Sequence, residues 1–403
     1  SEFQERIVTM FGPERVLMSD EPLSVVQLSH GSLSRLDFSF GWRNPNRLAY
    51  RHDFVYWHQR IARGEVSGFL GEDRTRPFPA PRSFLGADKE AQRMDVLVVA
   101  DWRAGVGRYD AVADEAAALA GAGMSVAIAQ GEVMRYATRA RVRPPDRVMQ
   151  LRADLTVSLV SWDDPLNVGV VLVTDPELLC FPRPADEVQI RSERVVVRAG
   201  YPVHAPGGDS LVYDPTVVEA SVRLLFGSDT TWQPSTPEIA DSLLAAGASG
   251  TILPPRQYGA QPVLAHRTEV PRRRARLVVG TAGLEKWATD RATWAALLKR
   301  LPVGRVDVRL RDEHGVLVKP PRTGVPRGWR VSQEPDLDTF LADIDVFVGF
   351  PRKSWGRELS YECVRAMIAG CVLVLDPAYE SQFGQAALYA DARRVGKVIK
   401  RLS

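Results

Sequence analysis

From residue 94 onward, short apolar runs alternate with longer segments whose apolar positions recur every three or four residues. MDVLVVADW (94–102) is a near-continuous apolar run, the pattern of a strand buried on both faces of a parallel sheet. RYDAVADEAAALAGAG (108–123) then reads as an alanine-rich helix stopping at glycines, and SVAIAQ (125–130) as the next strand. LTVSLVSW (155–162), VGVVLVTD (168–175) and ERVVVRAG (193–200) continue the strands, while DPTVVEASVRLLFG (214–227) and TPEIADSLLAAGA (236–248) supply helices. A Pro/Arg-rich bridge, residues 254–274, interrupts the series, which then restarts. RLVVGTAG (276–283), RVDVRLRD (305–312), DVFVGF (345–350) and CVLVLDP (371–377) are its strands; DRATWAALLKRLP (290–302), DLDTFLADI (336–344) and RELSYECVRAMIAG (357–370) are its helices.

Alternating βα units predict an α/β protein with doubly wound parallel sheets. Two series with a bridge between them predict two Rossmann-like domains facing across a ligand-binding cleft. The expected boundaries are 93–262 for the first domain and 263–403 for the second. Residues 1–92 lack the alternation and form an N-terminal extension, or part of a preceding region. Within them, residues 47–65 predict an amphipathic helix with Leu48, Phe54, Val55, Trp57 and Ile61 near one side, and the proline-rich stretch 75–84 predicts an extended linker.

Composition narrows the class. A chain of 403 residues with 45% apolar and 25% charged residues is that of a soluble globular protein. The net charge is only +3, so no global basic field points to nucleic acid. Arginine is locally dense at residues 272–276 and 139–143, which leaves peripheral contact with anionic lipid open. Cys180, Cys363 and Cys371 have no metal-ligand spacing and suit a reduced, cytoplasmic setting, including the inner face of a membrane. No run reaches the roughly 18 apolar residues of a membrane span.

Three segments carry candidate chemistry. DWRAGVGRYDA (101–111) follows the first strand, where Gly105 and Gly107 let backbone approach a ligand ahead of a helix N-terminus. It is not GxGxxG, which argues against a dinucleotide cofactor. VVGTAGLEKWATD (278–290) occupies the same place in the second series and offers Lys286 as a point charge for a diphosphate. In the third, residues 346–377, a buried strand runs into a loop with Arg352, Lys353 and Ser354, and then a helix from near Arg357. Two cations and a helix start at the carboxyl end of a parallel strand suit an anionic ligand. Glu358 and Glu362, four apart, share a face of that helix, where a carboxylate can accept hydrogen bonds from ribose hydroxyls or serve the helix dipole.

SWGRELSYECVRAMIAGCVLVL resembles the donor-binding segment of retaining glycosyltransferases of the GT-B fold, especially family 4. That motif is a glutamate, seven residues, then a second glutamate, a small-residue helix, a glycine and an apolar strand. The resemblance places Glu362 at the second glutamate, which holds the nucleotide ribose. Ser354 stands at the first-glutamate position, which normally contacts the donor sugar, and Glu358 is the candidate substitute one turn away. Lys286 falls at a diphosphate-binding lysine, Thr281 replaces an expected arginine, and Gly105 and Gly107 match an N-domain loop near donor and acceptor. The resemblance covers roughly residues 94–391. It implies a transferase moving a sugar from a nucleotide-sugar donor to a saccharide or lipid-linked glycan acceptor, with retention, with no cofactor and no metal.

Other features carry less. Asp336-Leu-Asp338 and Asp343-Ile-Asp345 look like DxD metal motifs but flank or sit in a helix, which fits solvated ends. His204, after a strand in AGYPVHAPGG, is a candidate general base. Trp232 reads as packing, and Thr236-Pro237 as N-cap and first-turn proline. The competing readings are a nucleotide-sugar epimerase of the same fold, a non-catalytic sugar-binding protein, and a transferase-like module of a larger polymerase.

Overall fold

The computed structural model describes residues 2–15, 45–69, 77–81, 90–103, 109–133, 143–181, 188–205, 210–255, 277–282, 306–311, 329–332, 337–350, 361–391 and 393–402. Its strands are β1 (Gln92–Ala100), β2 (Val126–Gln130), β3 (Ser158–Val160), β4 (Leu166–Val173), β5 (Ile190–Ala199), β6 (Thr230–Pro234), β7 (Thr251–Ile252), β8 (Leu277–Ala282), β9 (Val306–Arg311), β10 (Trp329–Ser332), β11 (Val346–Gly349), β12 (Val372–Leu375) and β13 (Leu388–Tyr389). The α-helices among the described residues are α1 (Glu2–Phe11), α2 (Pro45–Ala62), α3 (Tyr109–Gly121), α4 (Asp146–Ala153), α5 (Pro215–Phe226), α6 (Pro237–Ala245), α7 (Leu337–Ala342), α8 (Tyr361–Ile368), α9 (Glu380–Phe383) and α10 (Val395–Leu402).

Two separate parallel sheets result, as the alternation of βα units predicts. The first has the order β3-β2-β1-β4-β5-β6-β7 and the second β10-β9-β8-β11-β12-β13. Counted within itself, the second sheet therefore runs 3-2-1-4-5-6, and the first six strands of the other sheet run the same way. This is the doubly wound dinucleotide-fold order, in which the winding reverses beside the first strand. The reversal lies between β1 and β4 in one sheet, with Val96 opposite Val170, and between β8 and β11 in the other, with Val346 opposite Val279. The chain divides into two compact units, Ser1–Val196 with Ala220–Thr230, and Val197–Glu219 with Thr231–Ser403. The boundary expected at 262/263 lies outside the described residues.

The apolar runs become strands because both of their faces are covered. Residues 96–100 of β1 are all buried; Val96, Val98 and Ala100 pack with Ala113 and Ala116 of α3 and Val148 and Leu151 of α4. Leu97 and Val99, pointing to the opposite face, are fully buried as well. A buried carboxylate secures the far side of this sheet. Glu219 of α5 accepts hydrogen bonds from the Trp232 indole of β6 (2.8 Å), from the backbone N–H groups of Ser249 (2.9 Å) and Gly250 (2.8 Å), and from the Ser249 hydroxyl. Burial raises the Glu219 pKa, but those bonds outweigh it and hold the carboxyl below its ordinary range.

Helix α2 forms where the amphipathic pattern predicts a helix, but its buried face differs. Phe54, Tyr56 and Trp57 are buried together with Asp53 and His58, whereas Leu48, Val55 and Ile61 are only half-buried. The polar residues go inward because α4 meets them: Arg152, itself buried, donates to Asp53, and Tyr56 donates to Gln150 at 2.7 Å. Tyr50, Phe54, Trp57 and Phe78 make edge and tilted ring contacts at 5.5–5.7 Å beside this pair.

Candidate functional site

The carboxyl end of β1 runs directly into Asp101, Trp102 and Arg103, all three buried. The Asp101 carboxylate accepts from Arg103 Nε (2.8 Å) and Nη2 (2.5 Å), from the Val133 backbone N–H (3.0 Å) and from Gln130 Nε2 (3.3 Å). The hydrogen bond to Asp101 holds the Arg103 guanidinium above its ordinary pKa, against the effect of burial. Trp102 donates through its indole to the Ala129 carbonyl (2.9 Å), and Trp162 donates to the Gln130 carbonyl (2.9 Å). The chain thus leaves β1 from a rigid, charge-neutral plug that ties the ends of β1 and β2 together. Gly105 and Gly107, the expected ligand loop, lie outside the described residues. The buried Asp101–Arg103 pair has one sequence signal, two opposite charges two residues apart at the end of an apolar strand.

In the second sheet the positions that matter are the ends of β8 and β11, the two strands flanking the reversal. Gly280 in β8 is required by packing: a Cβ there would meet Ile344 Cδ1 at 2.6 Å and Phe340 Cζ at 3.2 Å. Gly349, the last residue of β11, is equally constrained, with Cys363 Sγ and Leu375 Cδ2 each 2.9 Å from where its Cβ would stand. The first contact brings α7 close onto β8, and the second brings α8 close onto β11. Along α8, Cys363, Val364, Arg365 and Ala366 are buried. Glu362, half-buried, lies in the first described turn. It lies on the element that follows β11, a strand of the reversal, where doubly wound sheets take their ligands. Thr281 is a buried β8 residue. Lys286, Arg352, Lys353, Ser354 and Glu358 lie outside the described residues; in the sequence they occupy the segments that follow β8 and β11.

His204 is exposed and forms an antiparallel bridge with Leu211 just past the end of β5. The turn is closed by Ala205 N–H to Ser210 O (2.8 Å) and Val212 N–H to Val203 O (2.8 Å), and Val203 N–H donates to Ser242 Oγ of α6 (2.9 Å). β5 is one strand removed from the β1/β4 reversal.

The features given less weight have structural roles. Trp232 is completely buried and bonded to Glu219, and Thr236 caps α6 by accepting from the Ile239 N–H, with Pro237 in the first turn. Asp345 accepts from the Val278 N–H at 2.9 Å, so this half of one DxD pair ties β11 to β8.

No protein-family model matches the chain, and no curated protein does. Among solved structures it is similar to HepE from Anabaena in complex with UDP and glucose, at 12% identity and a TM-score of 0.49, covering 76% of this chain and 89% of that one. It is similar to the glycosyltransferase SnogD from Streptomyces nogalater at 14% identity and a TM-score of 0.38, covering 75% and 88%. It is also similar to an O-GlcNAc transferase mutant from Thermobaculum terrenum at 10% identity and a TM-score of 0.41, covering 92% and 69%. The fold assignment rests on the strand order of the two sheets, not on these likenesses.

Proposed function

We propose that the chain is a glycosyltransferase that moves a sugar from a nucleotide-sugar donor onto a saccharide acceptor, with the donor nucleotide held by the second sheet. One observation carries this reading: Glu362 stands in the first described turn of the helix that follows β11, at the winding reversal of a sheet with the nucleotide-binding strand order. In this reading the Glu362 carboxylate accepts hydrogen bonds from the ribose hydroxyls. Lys286, Arg352 and Lys353 neutralise the leaving diphosphate electrostatically, so transfer proceeds without a divalent ion. Ser354 and Glu358 contact the donor sugar, and Gly105 and Gly107 border donor and acceptor. The resemblance of residues 354–375 to the family 4 donor segment supports retention of anomeric configuration, with the donor phosphate assisting acceptor deprotonation. His204 is then an acceptor-side residue, and it becomes the general base if the product is inverted.

A thermal-shift series with nucleosides, nucleoside diphosphates and nucleotide sugars tests the reading. A ligand of the folded state at 100 times its Kd raises stability by about 2.7 kcal/mol. A diphosphate and its sugar conjugate that both leave the melting curve unmoved at millimolar concentration would remove the donor site from this chain.

A further inference from the structure

Helices α2, α3, α4, α6 and α8 end in the same cap. In each, one N–H bonds to the carbonyl three residues back and the next N–H to the carbonyl five back. After α4 these are Leu155 N–H to Arg152 O (3.1 Å) and Thr156 N–H to Leu151 O (3.0 Å). The other four caps turn on Gly64, Gly123, Gly247 and Gly370, with φ between 73° and 86°. The α4 cap turns on Leu155 at φ 55°, which among the described residues is the one non-glycine with a positive φ. A Cβ in this conformation crowds the following carbonyl oxygen, so leucine is a costly choice where glycine serves.

Packing gives no return for that cost. Leu155 is 77% exposed, the most exposed large apolar residue among those described. Strands β2 and β3 are neighbours, with Ala127 opposite Ser158, so the cap of α4 stands beside that of α3. There Met124, 42% exposed, directly follows Gly123. Two exposed apolar side chains thus share the amino ends of adjacent strands. Doubly wound sheets bind their ligands at the opposite edge, so the pair belongs to no substrate pocket.

The surroundings are acidic. Asp154 precedes Leu155 and accepts from Gln150 Nε2 at 2.7 Å. Asp95 accepts the N–H and the hydroxyl of Ser125, next to Met124, at 2.8 Å each. Both carboxylates are exposed. The carbonyl ends of α3 and α4 add negative potential. Helix α3 has no basic residue in its last turn, and Arg152, in the last turn of α4, is buried against Asp53. Against these stands Arg93, close enough to Asp95 to favour its charged form.

We propose that Leu155 and Met124 form a docking surface for a cationic segment of a partner protein, one whose apolar side chains are flanked by lysine or arginine. Binding covers the apolar pair, while Asp95, Asp154 and the two helix ends meet the cations. The same charges repel an anionic bilayer or a nucleic acid. The surface is independent of the transferase reading, and its measurement needs no sugar nucleotide.

The test titrates the full chain against two fluorescein-labelled helical peptides with the same leucines, one carrying lysine and the other glutamate at every remaining position. The lysine peptide is expected to bind and the glutamate peptide is not, and binding should weaken as salt rises. Leu155→Gly should act in two opposite directions. It should raise the melting temperature by about 2–4 °C, because the strain is gone. It should also weaken the lysine peptide roughly 10-fold or more, because an apolar contact is gone. Met124→Gln, which leaves both caps in place, and Asp154→Lys, which reverses a charge at an exposed position, should each weaken that peptide as well. Equal binding of the two peptides, binding of neither, or variants that bind as the parent does would overturn the proposal. So would a Leu155→Gly chain that melts at or below the parent's temperature. A parent chain that sediments as a dimer while Leu155→Gly sediments as a monomer would overturn it in favour of a second copy as the occupant.

Discussion

Replacing Glu219 with Ala removes the acceptor on which four donors converge. One of them, the Trp232 indole N–H, belongs to a completely buried side chain and has nowhere to turn. A buried donor left unsatisfied costs about 1–3 kcal/mol. The N–H groups of Ser249 and Gly250 lie nearer to solvent, so water replaces part of what they lose; about 1 kcal/mol each is a reasonable allowance. The expected destabilisation is therefore about 3–5 kcal/mol, a large share of a domain's total stability. Urea denaturation followed by tryptophan fluorescence measures it. Trp232→Phe removes the stranded donor, so the double variant should recover about 1–3 kcal/mol of the loss, a coupling that a double-mutant cycle isolates. The pH dependence has a definite sign. The Glu219 pKa is lower in the folded chain than its ordinary 4.5, so its contribution is complete above about 4.5 and is lost as pH falls through the folded value. Glu219→Gln should therefore show a shallower loss of stability below pH 4.5 than the parent. A Glu219→Ala cost under about 1 kcal/mol, with no coupling to Trp232, would refute the reasoning.

Two further outcomes follow from the packing. Burial, reinforced by Arg152, Arg143 and Arg51, lowers the His52 pKa from 6.5 to about 4, so the contribution of His52 to stability is complete above 6.5 and is lost as pH falls toward 4, while burial raises the neighbouring Asp53 to about 7 and acts in the opposite sense over the same window. Hydrogen exchange of α2 amides across that window should show the parent losing protection toward pH 4 relative to His52→Phe, the difference isolating His52 from Asp53; identical profiles would exclude a His52 contribution. Gly349→Ala places a methyl group against Cys363 and Leu375 and should cost about 1–3 kcal/mol, relieved in part by adding Cys363→Ala; an unchanged melting temperature would mean that α8 is not held so close to β11.

The winding of the chain was readable because parallel strands covered on both faces are continuous apolar runs. MDVLVVADW, SVAIAQ, RLVVGTAG, DVFVGF and CVLVLDP each contain a strand. The strands that the apolar pattern does not reveal are short or mixed. β6, TTWQP, has three buried positions in alternation and ends in proline, and β10, WRVS, is four residues long. β7 and β13 have two residues each, below any periodic signal. What the sequence conceals more deeply is pairing between distant residues. Asp53 looks like a flaw in an amphipathic helix until Arg152 arrives from α4, and Glu219 looks like ordinary helix surface until Trp232 and the Ser249–Gly250 turn close over it. The candidate site shows the same division. The strand ends that lead to it are written in apolar runs. Its expected contacts lie mostly in the connecting segments, whose residue types suggest phosphate or ribose but carry no periodicity to place them.

Binding of nucleoside, nucleoside diphosphate and nucleotide sugar to the parent, Glu362→Ala and Lys286→Ala chains tests the central claim most directly. The carboxylate of Glu362 is proposed to hold the ribose, and losing one charge-assisted hydrogen bond costs about 1.5–3 kcal/mol. The account therefore predicts that Glu362→Ala weakens nucleoside and nucleoside diphosphate alike, by roughly 10- to 100-fold, since both keep the ribose. Lys286→Ala should weaken the diphosphate far more than the nucleoside. A folded Glu362→Ala protein whose affinity for all three ligands equals the parent's would contradict the account and return this glutamate to ordinary helix-terminus electrostatics.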